Sequence, residues 1–149
     1  MEQAAVREFA EEMQPSGGAA PRLLGRLSEI YVFASGYRVV PVVGWLEGSP
    51  RLIPQPEEVE RIIWLELDQL CDPRRWQRLP LKRALRGASG PVAIDLEVPA
   101  LSVAEEIVWG ATAMILAELR EVLSGLLRTA VGTVPATPLS PRGSNGSNP

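Results

Sequence analysis

The chain has 149 residues, 46% hydrophobic and 22% charged, with 15 Lys and Arg against 18 Asp and Glu for a formal charge of −3. That length fits one domain, the weakly acidic balance argues against an electrostatic grip on nucleic acid, and no apolar run reaches the ~20 residues of a membrane span. A single cysteine excludes a disulfide framework, and the lack of histidine excludes His-ligated zinc, Ser-His-Asp triads and Cys-His dyads.

Residues 2–13 are rich in helix formers, and Val6, Phe9 and Met13 recur at helical spacing, so a helix with a buried stripe is expected. Pro15-Ser16-Gly17-Gly18 ends it. No Ser, Thr, Asp or Asn cap precedes Glu2, as though the chain began part-way along the element. The acidic opening is unlike a secretory leader, and a cytoplasmic protein is expected. Residues 23–27 and 31–33 read as short strands. Residues 37–46 read as a strand covered on both faces, in which Pro41 demands an edge position or a bulge. Residues 47–50 form a turn, 51–53 a short strand, and Pro54-Gln55-Pro56 a stiff loop leading into 57–61. Residues 62–65 read as a strand, 66–70 as a helical turn, 71–90 as a polar, Arg-rich irregular stretch, and 91–98 as a half-exposed strand.

The last element is the clearest. From 103 to 128 the apolar positions Ile107, Val108, Ala111, Ile115, Leu119, Val122, Leu123 and Leu126 follow a helical period and predict a long packed helix. Residues 129–149 have the composition of a disordered tail, which leaves a domain over 1–128. Helices bracketing a set of strands predict an α/β layered domain.

Any chemistry must come from carboxylates, arginines, hydroxyls, the backbone or a bound metal. On a helix, Glu8, Glu11 and Glu12 stand at i, i+3 and i+4, so three carboxylates share one face. Their mutual repulsion costs stability unless a positive charge sits over them, and Mg²⁺ or Mn²⁺ prefers such oxygen ligands. The plainer alternative is a solvated acidic face.

Arg7-Glu8-Phe9-Ala10-Glu11-Glu12 resembles the R-E-U-x-E-E half of the Nudix box, with Phe9 as the apolar residue. Leu24-Gly25-Arg26-Leu27, Ser35-Gly36-Tyr37, Val40-Pro41-Val42-Val43-Gly44, Pro54-Gln55-Pro56-Glu57-Glu58-Val59 and Val108-Trp109-Gly110-Ala111-Thr112-Ala113 follow in an order similar to the coenzyme A pyrophosphatase branch. The resemblance spans about 2–123 and departs from the pattern in places. The first Glu of the box would fall before Met1, as would the first strands of the fold, and Gln14 stands where the box carries a late Gly.

The resemblance implies a Nudix-like α/β/α sandwich with a mixed sheet, N-terminally incomplete. It implies hydrolysis, with Mg²⁺ or Mn²⁺, of a nucleoside-diphosphate-linked substrate. Coenzyme A, split to 3′,5′-ADP and 4′-phosphopantetheine, is the first candidate. Carried onto these residues, Glu11 and Glu12 are metal ligands, Glu8 is a ligand or an orienting carboxylate, and Arg7 holds a carboxylate in place. Glu57 or, preferably, Glu58 supplies a further carboxylate as ligand or base. The partner is a small nucleotide rather than nucleic acid or membrane, and a homodimer is left open. The competing expectation is a non-catalytic Nudix-like fragment or binding module.

Other candidates are weaker. Cys71 lacks the cationic surroundings of a nucleophile. Arg74, Arg75, Arg78, Lys82, Arg83 and Arg86 hold phosphates or simply make a solvated loop. Trp109 is read as packing the last helix on the sheet.

Overall fold

The computed structural model describes residues 2–33, 35–87 and 90–132. The first helix, α1 (Glu2–Met13), forms as the composition requires. Its apolar stripe is half-buried rather than buried: Ala5, Val6 and Phe9 face Leu23, Val42 and Leu46 across a crevice. Those partners belong to, or flank, an antiparallel pair of β1 (Arg22–Arg26) and β4 (Val42–Trp45), which carries a bulge between Leu23 and Gly25. A short 3₁₀ turn, Ser16–Gly18, joins α1 to this pair.

The strand expected over 37–46 is two strands in two sheets. β3 (Tyr37–Val39) pairs with β2 (Ile30–Val32), and the chain then breaks at Val40-Pro41 before β4. Pro41 has no N–H for a ladder, so the break falls where the chemistry demands it. Gly36, at φ 72, makes the turn of the β2–β3 hairpin.

The second half is built on a longer ribbon. β5 (Trp76–Gly87) and β6 (Gly90–Val103) pair antiparallel from Trp76↔Leu101 to Gly87↔Gly90, and β7 (Glu106–Trp109) pairs with the end of β6. Residues 76–87 are therefore strand where an irregular stretch was expected. Charge masked the period of two: Leu79 and Leu81 share one face with Val98 and Leu96, while Arg78 and Lys82 occupy the other, Lys82 opposite Asp95. Pro80 is tolerated because β5 is an edge strand. The strands expected over 51–53 and 62–65 do not form.

The final helix, α3 (Ala111–Gly132), starts later than its apolar period suggests. Ala104, at φ 53, turns β6 into β7, and Gly110, at φ 71, turns β7 into α3. Ile107 and Val108 thus belong to a strand. At the other end, helix continues through 129–132, the first residues of the expected tail, and 133–149 lie outside the described residues. The helical turn expected over 66–70 is α2 (Leu67–Cys71).

Leu70, Leu101 and Val103 form the buried centre, with Trp76, Val108, Leu116, Leu119 and Leu123 packed around it. The core therefore lies between α2, α3 and the β6–β7 end of the ribbon. Trp76 fastens it, its indole N–H donating to Leu70 O at 2.8 Å, with the Arg120 guanidinium 5.7 Å from its ring. Trp109, read as the packing aromatic, ends β7 and is 56% exposed.

Helices and strands together place the chain in the general α/β class. Among the described residues the strands form three antiparallel sheets, not one mixed sheet. Most neighbouring strands are joined by links too short for the crossover that a parallel pair needs. No helix among the described residues is long and apolar enough to cross a membrane.

Candidate functional site

The last turn of α1 leaves backbone carbonyls without partners inside the helix. An extended segment supplies them. The Gln55 N–H donates to Glu12 O and the Ile53 N–H to Met13 O, both at 2.8 Å. Ser16 and Arg51 close the seam: the Ser16 N–H donates to Arg51 O at 2.8 Å, and the Arg51 N–H donates to Ser16 Oγ at 3.0 Å. These bonds lay residues 51–55 along the end of α1, and the chain then turns at Pro56–Glu58. Within that turn the Glu58 and Val59 N–H groups donate to Gln55 O.

The consequence is a cleft of about 620 Å³ between helix and loop. Arg7, Glu8, Glu11 and Glu12 line it from α1, and Gln55 and Glu58 line it from the loop. Gln14 sits at the seam, its Nε2 donating to Gln55 Oε1 at 2.7 Å. Arg7, Glu8, Glu11, Glu12 and Glu58 thus border one concavity, whereas Glu57 is not among its lining residues. Arg7 Nε stands 3.8 Å from Glu11 Oε1, one turn along the helix. Both side chains are about two-thirds exposed (67% and 64%), so this ion pair orients more than it stabilises.

The lining offers carboxylate and amide oxygens and one guanidinium. Among the described residues no group of three or more His, Cys, Asp or Glu side chains is placed to hold a metal ion together. The donor chemistry nevertheless suits Mg²⁺ or Mn²⁺, which commonly take one or two carboxylates and fill the remaining positions with water and phosphate oxygens.

The remaining candidates lie elsewhere. Asp72 caps the Pro73–Arg75 turn, accepting from the Arg74 N–H at 2.9 Å and pairing with its guanidinium. Arg74 holds the Asp72 carboxyl at about 2, below its ordinary 3.8, chiefly through that side-chain hydrogen bond. Arg75 donates to Ser102 O at 3.4 Å. Arg78 and Lys82 share one face of β5 and Arg83 occupies the other, so the basic run is divided by the strand rather than gathered. The Arg86 side chain lies outside the described ones. Cys71 borders an apolar groove with Leu67, Leu123 and Leu126, and no cationic side chain is among the described residues lining it.

Gln14 and Gln55 were not anticipated as site residues. Gln14 stands where the resemblance to the Nudix box would put a glycine, and its φ of 39 is the left-handed conformation a glycine takes at a helix exit.

No family model, curated protein or solved structure matches the chain.

Proposed function

We propose that the chain is a Nudix-like pyrophosphohydrolase whose cleft between α1 and the 51–58 loop binds a nucleoside-diphosphate-linked substrate, coenzyme A first among candidates. The observation that carries this is the convergence of Arg7, Glu8, Glu11, Glu12 and Glu58 on one concavity. The order of motifs along the sequence supports it independently. A cytoplasmic setting is part of the proposal.

A divalent cation bound here would neutralise the diphosphate and lower the pKa of a water. Glu11 and Glu12 would hold it, with Glu8 as a further ligand or as the group that orients one. Arg7 pairs with the Glu11 carboxylate from the adjacent turn and orients it. Glu58, facing them from the loop, takes the proton of the attacking water on a carboxylate oxygen. The water oxygen bonds to one phosphorus as the bridging P–O bond breaks. The second phosphate leaves with the bridging oxygen, which gives 3′,5′-ADP and 4′-phosphopantetheine.

Exposed aromatics favour a second reading, a non-catalytic Nudix-like module acting through a partner surface: Trp64 is 74% and Tyr37 71% exposed. Incubation of the purified chain with coenzyme A and Mg²⁺ or Mn²⁺, followed by chromatography of the products, separates the two. Metal-dependent release of 3′,5′-ADP, rising toward alkaline pH and absent in Glu12→Gln, is the expected result. Intact coenzyme A at every metal concentration and pH leaves the binding module.

A further inference from the structure

The base of the cleft is not held by the carboxylates that line it. Residues 51–55 are fastened to α1 by backbone bonds at Ile53 and Gln55, and Gln55 is held a second time through its side chain, which accepts from Gln14, the residue after α1, at 2.7 Å. Beyond Gln55, among the described residues, the turn bearing Glu58 is held by backbone bonds to Gln55 O, from the Glu58 and Val59 amides at 3.1 and 2.8 Å. Gln55 is therefore the joint between the helix and the turn.

Gln14 carries a backbone cost to make this contact. Its φ of 39 is a left-handed conformation that glycine adopts freely and that other residues adopt only under strain. A glycine would end α1 with less strain but would have no side chain to reach Gln55.

We propose that Gln14 and Gln55 form an interlock that positions Glu58 across the cleft from Glu8, Glu11 and Glu12, making them positioning residues for the site. The inference rests on the proposed function for the role of the carboxylates, but not for the interlock itself. Three consequences follow from the geometry. Gln14→Gly keeps the helix exit, relieves its strain and removes the tie. Gln55→Ala removes the other partner and leaves α1 untouched. The double variant behaves like either single one, because both changes break the same bond.

The test is amide hydrogen exchange and Mn²⁺-induced line broadening, followed residue by residue by NMR in the wild-type chain and the three variants. Gln14→Gly is expected to speed exchange at Gln55, Glu58 and Val59 by about 2–10-fold, the span of one ordinary hydrogen bond, with Arg7 to Glu12 unchanged. Broadening by Mn²⁺ is expected at Glu8 to Glu12 and at Glu58 and Val59 in every chain, but at about 2–10-fold higher Mn²⁺ in the variants than in the wild type. Unchanged exchange and unchanged broadening at 55–59 in the variants overturn the interlock, whatever the wild-type chain does with metal. Faster exchange in a chain that Mn²⁺ broadens nowhere overturns the functional reading instead, and with it the positioning role.

Discussion

At the scale of single residues, the carboxylates divide by what surrounds them. Asp72 is satisfied: it accepts the Arg74 N–H and pairs with the Arg74 guanidinium, which together hold its carboxyl at about 2. The charged form is thus favoured in the folded chain, whereas the unfolded chain protonates near 3.8. The stabilisation is fully present above about pH 4 and is lost as the pH falls through about 2, because unfolding then takes up a proton. Asp72→Asn should flatten this part of the stability curve. Melting temperatures of the two chains between about pH 5 and pH 2.5 check it, and parallel curves would contradict the assignment. By contrast, Glu8, Glu11, Glu12 and Glu58 share a cleft whose described lining includes one guanidinium, that of Arg7. Like charges gathered with so little compensation are what an incoming cation relieves.

At the scale of elements, legibility followed the local code. α1 was readable end to end because composition, stripe and terminating Pro-Ser-Gly-Gly agree. β5 was not, because Arg78, Lys82, Arg83 and Arg86 hide a strand whose apolar residues Leu79 and Leu81 pair with Val98 and Leu96 of β6 across the ribbon. The start of α3 was misplaced because Ile107 and Val108 fit a helical period, and only Gly110 at φ 71 marks where the helix begins. In the site, the residue types and spacing of Glu8, Glu11 and Glu12 were legible. The Gln14–Gln55 tie was not, since it joins residues 41 apart by a neutral side-chain bond with no sequence signature. The packing of β4 against the approach to β1 is equally invisible in sequence. A Cβ added at Gly44 would lie 2.9 Å from Pro21 Cβ, whereas one added at Gly25 meets nothing within 4 Å. Gly44→Ala should therefore destabilise by about 1–3 kcal/mol, with Gly25→Ala as the mild control. Equal denaturant midpoints for the two variants would contradict this packing.

At the scale of the whole molecule, the core and the cleft belong to different parts of the chain. Leu70, Leu101 and Val103 anchor α2, α3 and the long ribbon, while the carboxylates lie on α1 and the loop beside it. The two parts are joined by side-chain bonds such as Ser28 to Glu118 Oε1, made by both the Ser28 N–H at 2.9 Å and its hydroxyl at 2.8 Å. Substitutions in the cleft should therefore leave the core intact. Replacing one carboxylate of a crowded set relieves repulsion, so the melting temperature of the metal-free Glu12→Gln chain should be no lower than that of the wild type. The central claim is that this cleft takes a divalent cation, and the most direct measurement is a calorimetric titration of Mn²⁺ into the wild-type and Glu12→Gln chains at neutral pH. The expected result is saturable binding to the wild type that weakens about 10-fold or more in the variant, as when a metal site loses part of its support. Equal binding by the two chains, or none by the wild type, would contradict it.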